Sequence, residues 1–420
     1  MREMKDSGIA WIGAIPNHWK VSKIKQIVCW KSVKGQPDLP VLSLYRDYGV
    51  VPKDSRDDNH NVTSLDTSGY KVVERGDLVI NKMKAWQGSL AVSEYNGIVS
   101  PAYHICKITS EKICKKYLHY LLRDASYLPE YMRLSTGLRV GQWDLSFDDF
   151  KNIPFLVPPL AEQDRIAAFL DAECAEIDAV LEKTRASIEE YKKLKQAVIT
   201  QAVTKGVRGD RPMKDSGIEW IGEIPAEWDV LNLVAHTSML TPMRDRPENL
   251  DGPIPWVRIE DFEGKYIESS KAGLGVSMKT VKEMNLKVYP VGTILCTSSC
   301  IMGKCAIVSR ELVSNQRFIG IIPDRTTDKT YLYYLMTSNA ERMNFLSTGA
   351  LQANLSRSAF EHLKVQFPPY SEQQEIVAYL DDKCEKIDAL IARKQQYLTE
   401  IENYKKSLIY EYVTGKKEVV

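Results

Sequence analysis

The sequence contains no run of eighteen or more apolar residues, so a membrane-spanning helix is not expected. Its opening, MREMKDSGIAWIG, lacks the apolar core of a secretory signal, and the expected location is the cytoplasm. The eight cysteines are dispersed, which fits reduced thiols better than a disulfide framework. There is no excess charge of either sign: 56 Lys and Arg stand against 55 Asp and Glu, a net charge of +1. A uniformly basic nucleic-acid-coating protein is thereby excluded, although local basic patches are not. Disorder is excluded too, because 44% of the residues are hydrophobic and 26% charged.

Catalytic and metal motifs are equally scarce. No Walker A sequence is found, so no nucleotide-driven motor is expected here. The nearest glycine pair to a methyl-donor loop, Gly273 and Gly275 in KAGLGVSM, does not follow a strand pattern. Phe367-Pro368-Pro369-Tyr370 superficially matches the Pro-Pro-Tyr of amino-methyltransferases. Gln366 is not the Asn or Asp that motif needs, and a helix start explains the segment better. Pro323-Asp324 followed by Asp328-Lys329 has the wrong spacing for a nuclease site. Cys296, Cys300 and Cys305 are not spaced as CxxC and have no accompanying Cys/His pair, so buried thiols are expected instead of a zinc site. The six histidines form no ligand or nucleophile pattern. No catalytic residue, metal ligand or cofactor-binding residue is assigned, and a non-catalytic chain is expected.

What the chain does have is repetition. Residues 158–181, PPLAEQDRIAAFLDAECAEIDAVL, return at 368–391 as PPYSEQQEIVAYLDDKCEKIDALI, with 12 identities in 24 positions. Residues 4–19, MKDSGIAWIGAIPNHW, return at 213–228 as MKDSGIEWIGEIPAEW, with 12 identities in 16. Similarity at a fixed period of about 210 marks a tandem duplication. The expected division is 1–157 and 213–367 as two mixed α/β domains, opened by irregular clasps at 4–19 and 213–228. Residues 158–212 and 368–420 are expected to be helical.

Each globular stretch follows one plan. A strand leaves a turn at 76–86, two strands joined as a hairpin through Asn96-Gly97 fill 89–108, and a helix with apolar 3–4 spacing fills 112–126. A loop, a short helix and an extended exit cover 135–155. The second copy repeats this at 292–300, 303–318, 330–338 and 347–369, with different residues at strand ends and loops.

The two helical stretches carry a heptad seam. In the first it runs through Leu170, Cys174, Ile177, Leu181, Thr184, Ile188, Tyr191, Lys195 and Val198. In the second it runs through Leu380, Cys384, Ile387, Ile391, Lys394, Leu398, Ile401, Lys405 and Leu408. Polar residues interrupt both at matching places, a device that sets register. Each helix should be roughly 60–65 Å long. The fold class expected is α+β: two mixed domains separated by a pair of long antiparallel coiled-coil helices, related by a pseudo-two-fold axis. The chain ends after Thr414 where the first copy would enter a clasp, so Thr414 is expected close to the clasp at Met4.

Two globular units, each followed by a Pro-Pro-x-x-Glu-Gln helix, resemble the specificity (S) subunit of type I restriction–modification systems. The two clasps and both PP-x-x-EQ-x-x-I-x-x-x-LD starts carry the resemblance, in family order along essentially the whole chain. It implies two target-recognition domains, each reading one half of a split duplex DNA sequence across a helical spacer. It further implies docking of two methyltransferase (M) subunits, addition of restriction (R) subunits, and S-adenosylmethionine, ATP and Mg bound by those partners. Rival readings are a stand-alone DNA adenine methyltransferase and a coiled-coil scaffold with no DNA role. Neither explains a duplication in which loops diverge while helices stay.

Base readout needs long or polar side chains at base edges, and positioning needs cations or hydroxyls on phosphates. The loops richest in such groups hold Lys82, Lys84, Trp86, Gln87, Arg139, Gln142 and Trp143 in the first domain. Ser298, Ser299, Lys304, Asn315, Gln316, Arg317, Gln352 and Asn354 are their counterparts in the second. Half-sites on one duplex face would lie roughly 34–36 Å apart.

Overall fold

The computed structural model describes residues 2–46, 48–55, 63–64, 66–137, 143–242, 245–299, 302–347 and 354–419. The chain divides into two compact units: Met1–Arg185 with Gln396–Val420, and Ala186–Gln395. Each unit therefore takes the start of one long helix and the end of the other, so spatial grouping departs from order along the chain.

The first unit is built on a four-stranded sheet ordered Val28–Lys31, Tyr103–Ile108, Asp77–Asn81, Leu90–Val92, all neighbours antiparallel. The helix Lys115–Arg123 buries Tyr117, Leu118, Leu121 and Leu122, the spacing read from its sequence. These residues join one core with Ile15 and Trp19 of the clasp, Ile166 and Leu170 of one long helix, and Leu408 and Val413 of the other.

Two local expectations are corrected. Asn96-Gly97 does not turn a hairpin: Leu90–Val92 pairs with Asp77–Asn81, whereas Gly97–Val99 pairs with Lys71–Val73. A type I′ turn needs positive φ at both central residues, and neither Asn96 nor Gly97 has it. Gly97 is glycine because a Cβ there would sit 2.4 Å from the Pro40 carbonyl oxygen, and the Asn96 side chain accepts a hydrogen bond from Arg75 N. The clasps are also more regular than expected, since Met4–Asp6 pairs with Ala14–Pro16 and Met213–Asp215 with Glu223–Pro225.

The second unit repeats the sheet as Thr237–Leu240, Phe318–Pro323, Ile294–Thr297, Cys305–Val308, with Tyr266–Ile267 added in parallel at the edge. Its core likewise joins Trp228 of the clasp to Ile199 and Val203 at the end of one long helix and Ile376 and Leu380 at the start of the other. Cys296 and Cys305 face each other across neighbouring strands with sulfurs 2.6 Å apart, and burial pushes the Cys296 thiol well up. Cys300 lies outside the described residues. Among the described residues no group of three His, Cys, Asp or Glu could hold a metal ion. Asp328 caps the helix Lys329–Ser338, accepting from Thr330 N at 2.7 Å and Tyr331 N at 3.0 Å, which is a structural use of the residue suspected in a nuclease pattern.

The long helices are Leu160–Lys205 and Tyr370–Val413, 46 and 44 residues, so each is about 65–70 Å long. Tyr370 opens the second, so the Pro-Pro-Tyr segment is a helix start. In the first unit Lys405 reaches Asp178 at 2.6 Å and Arg185 reaches Glu402 at 2.7 Å, which makes the pairing antiparallel. In the second unit Lys195 meets Asp388 at 2.6 Å and the Lys394 ammonium lies 5.7 Å from the Tyr191 ring centre, again antiparallel. Of the seam positions, Leu170, Cys174, Leu181, Thr184, Ile188, Leu380, Cys384, Ile387 and Leu408 are buried. Ile177, Tyr191, Val198, Ile391, Leu398 and Ile401 are half-buried, as are Lys195, Lys394 and Lys405.

Each helix start is locked by its Glu-Gln pair. Gln163 accepts from Cys114 N at 2.9 Å and donates to the carbonyls of Lys112 and Pro158 at 3.0 and 2.8 Å. Gln373 does the same with Asp328 N, Thr326 O and Pro368 O at 2.8, 3.1 and 3.0 Å. Glu162 accepts from Trp19 Nε1 at 3.1 Å and from His18 and Arg2; Glu372 accepts from Trp228 Nε1 at 3.0 Å and pairs with Arg211 at 2.6 Å.

In the first unit the C-terminal segment meets the clasp: Lys416 Nζ donates to Ile12 O at 3.0 Å and Arg2 pairs with Glu418 at 3.3 Å. Gly415 ends the helix with φ of +72°, and a Cβ there would come within 2.5 Å of Pro16, so glycine is required twice over. Thr414 thus stands close to the clasp, as expected.

Burial alone would raise the Glu162 carboxyl, but the hydrogen bonds from His18, Arg2 and Trp19 outweigh it and hold the group below its ordinary value of 4.5. A depressed folded value means that this stabilisation is present above the unfolded value and disappears as pH falls through the folded one. Unfolding of the first unit should therefore become easier below pH 4.5, and Glu162→Gln should flatten that dependence in urea titrations run from pH 6 to 3.

Candidate nucleic-acid interface

The expected reader loops of the first unit converge at one end of its sheet. Asp77–Asn81 exits into a tight loop closed by the single 3-10 turn Ala85–Gln87, whose Ala85 is buried. Gly88 then adopts φ of +84° and returns the chain to Leu90–Val92. Lys82 N donates to Ala102 O at 3.3 Å, and Lys82 O accepts from Leu145 N at 3.0 Å. Three segments remote in sequence are thus tied together by the backbone of one residue. The Lys82 ammonium lies 2.9 Å from Asp144, which spends its charge within the loop cluster. Trp86 and Trp143 meet with ring centres 5.3 Å apart at 61°. Lys84 and Gln87 are exposed beside them. Arg139 and Gln142 lie outside the described residues.

The second unit makes the same knot with other side chains at two of its three positions. Ser298 N donates to Arg317 O at 2.8 Å, and Ser298 O accepts from Leu355 N at 2.9 Å. Lys82 and Ser298 therefore occupy one structural position, as do Ala102 and Arg317, and Leu145 and Leu355. Ser299 bridges to Asn354. Lys304 is tied to Thr297 through its backbone and reaches Ile259 O at 3.4 Å with its ammonium. Asn315 N donates to Val257 O at 3.4 Å, and its side chain accepts from Arg317 N at 3.1 Å. Gln316 and Arg317 are exposed. Gln352 lies outside the described residues.

Asp144 and Arg258 also belong to these edges, although the sequence does not single them out. Asp144 sits 62 residues from the lysine it holds, and no local pattern announces such a pair. Arg258 follows the strand Ile254–Val257, beside the carbonyls that receive Asn315 and Lys304, and pairs with Glu260 at 2.9 Å.

One scaffold thus presents two differently furnished edges, an arrangement suited to reading two different partners of one kind. Comparison with known proteins agrees. Residues 16–190 and 229–403 each match the type I restriction modification DNA specificity domain. The type I restriction enzyme MjaIX specificity subunit of Methanocaldococcus jannaschii is 35% identical over 39% of this chain and 40% of its own length. The putative type I restriction enzyme MjaX specificity subunit of the same organism is 24% identical over 97% of this chain and 96% of its own. A chain from a structural study of complex assembly and conformational transition in the type I R-M system shares the fold, with TM-score 0.72 over 96% of this chain and 99% of that one at 14% identity. With both halves of the duplication matched, the chain belongs to the family of type I restriction–modification DNA specificity subunits.

Proposed function

We propose that this chain selects the DNA sequence for a type I restriction–modification complex, each unit reading one half of an asymmetric bipartite duplex site. The observation that carries this is the shared backbone knot at Lys82 and Ser298, which keeps a leucine at Leu145 and Leu355 but exchanges Lys82 for Ser298 and Ala102 for Arg317. Two copies of one reader with unlike contacts call for two unlike half-sites. The chain itself is read as non-catalytic, with S-adenosylmethionine, ATP and magnesium belonging to its partners.

The helices are proposed to dock two methyltransferase subunits, and to be joined in the full complex by restriction subunits. Val180, Leu194, Leu390, Tyr397 and Tyr404 are all exposed, each directly before a seam position. Leu390, Tyr397 and Tyr404 recur every seven residues, as an outer helix would require of a second seam. Weak net basicity supports the same division of labour, because much of the phosphate attraction must then come from the partners.

Base-resolution mapping of methylated sites in a host carrying the gene tests the reading. A single bipartite asymmetric motif is expected. Gln87→Ala should relax one position of one half only, by about 1–3 kcal/mol of discrimination. Arg317→Ala should act on the other half alone. Equal loss in both halves would count against the assignment of one unit to each.

A further inference from the structure

The two reader edges differ in chemistry as well as identity. In the second unit the edge offers hydroxyls, amides and cations: Ser298, Ser299, Lys304 and Asn354. In the first unit the exposed Lys84 and Gln87 stand beside a ledge of apolar surface. Met83 is 47% exposed, and Trp86 and Trp143 are half-exposed and absent from the packed cores of their unit. Trp86 donates its one N–H to Met83 O at 3.2 Å, so what it presents outward has no hydrogen bond left to give.

The ledge is also fixed in place. The loop beneath it is closed by bonds from Gln87 N to Lys84 O at 3.0 Å and from Gly88 N to Ala85 O at 2.7 Å. Lys82 is held by Asp144. Two rings that clasp a flat base between them must lie nearly parallel, at about twice the 3.5 Å contact distance of carbon atoms. These rings are 5.3 Å apart and inclined at 61°. Sandwiching a base is excluded, and contact with a small apolar group remains.

The only apolar feature that a base pair shows in the major groove is the thymine 5-methyl group. We propose that the first unit, besides the hydrogen bonding open to Gln87, recognises its half-site through thymine methyl groups lying against Trp86, Trp143 and Met83, whereas the second reads hydrogen-bonding edges. The proposal rests on the specificity-subunit reading given above.

The test uses the full chain assembled with its methyltransferase subunits, on duplexes of its mapped target. Thymines are replaced by deoxyuridine in one half at a time, which removes the methyl and keeps every hydrogen bond. In the half assigned to the first unit each contacted methyl should be worth about fourfold in affinity. The other half should be indifferent. Trp143→Ala should abolish that discrimination, and Trp143→Leu, which keeps apolar surface, should retain part of it. If Trp143→Ala does not fold, the deoxyuridine series on the unaltered chain still decides. Equal affinity for thymine and deoxyuridine in both halves overturns the methyl contact, as does a first half-site without thymine. Failure of the assembled complex to prefer any duplex overturns the specificity-subunit reading itself, which keeps the two failures distinct.

Discussion

Trp228→Ala should destabilise the second unit by about 3–5 kcal/mol, the range for removing a large buried aromatic side chain. Trp228 is fully buried in the core that joins the clasp to both long helices. Its indole N–H is bound to Glu372, itself fully buried, and the Arg211 guanidinium lies 5.3 Å from its ring centre. Alanine removes the ring's burial and also one donor to an enclosed carboxylate. Trp228→Phe separates the two effects: most of the ring is kept and the donor is lost, for a smaller cost of about 1–3 kcal/mol. Urea unfolding should show a lowered midpoint for the transition of the second unit alone, and Trp19→Ala should give the mirror result. A single transition shifted equally by either substitution would show that the units do not melt independently. In methylation mapping, Trp228→Ala should spoil the half-site whose recognition depends on Ser298 and Arg317.

The sequence disclosed the duplication, the long helices and the general address of the reader loops because those features are local or repeated. Gly206 and Gly415 close helices whose heptad spacing is kept through the polar interruptions of the seam, and both signals survive without knowledge of the fold. The pairing of Gly97–Val99 was not legible. Asn96-Gly97 carries a strong turn signal, yet the glycine answers to a carbonyl from Pro40, more than fifty residues away. Lys82 illustrates the same limit in the candidate interface. Read alone it is a free cation for phosphate, but Asp144 holds it, so its chemistry depends on a neighbour brought in by folding. The compact units make the point at larger scale. A boundary drawn before Pro158 follows chain order, whereas packing assigns the far end of each long helix to the other copy's globular part.

Gln163→Ala should cost the first unit about 3 kcal/mol or more, although it removes only a polar side chain. The reason is what it leaves behind. Gln163 is fully buried, and its amide satisfies Cys114 N and the carbonyls of Lys112 and Pro158. Truncation takes a partner from three backbone groups at once, the Pro158 carbonyl buried and Cys114 N and Lys112 O partly so, and a buried group left unpaired costs about 1–3 kcal/mol. Cys114 caps the helix Lys115–Arg123, and Pro158 leads into the long helix, so the same loss loosens the joint between sheet domain and spacer. Gln163→Glu is the sharper probe. A carboxylate keeps an acceptor for Cys114 N but has no N–H for the two carbonyls, and it would place a second negative charge next to Glu162. The penalty should equal or exceed that of alanine at pH 7 and shrink on acidification, where a protonated carboxyl can again donate. That trend is opposite in sign to the acid sensitivity of the unaltered chain. A Gln163→Glu protein that unfolds at the same urea concentration as the parent at pH 7 would show that this amide does not hold the joint.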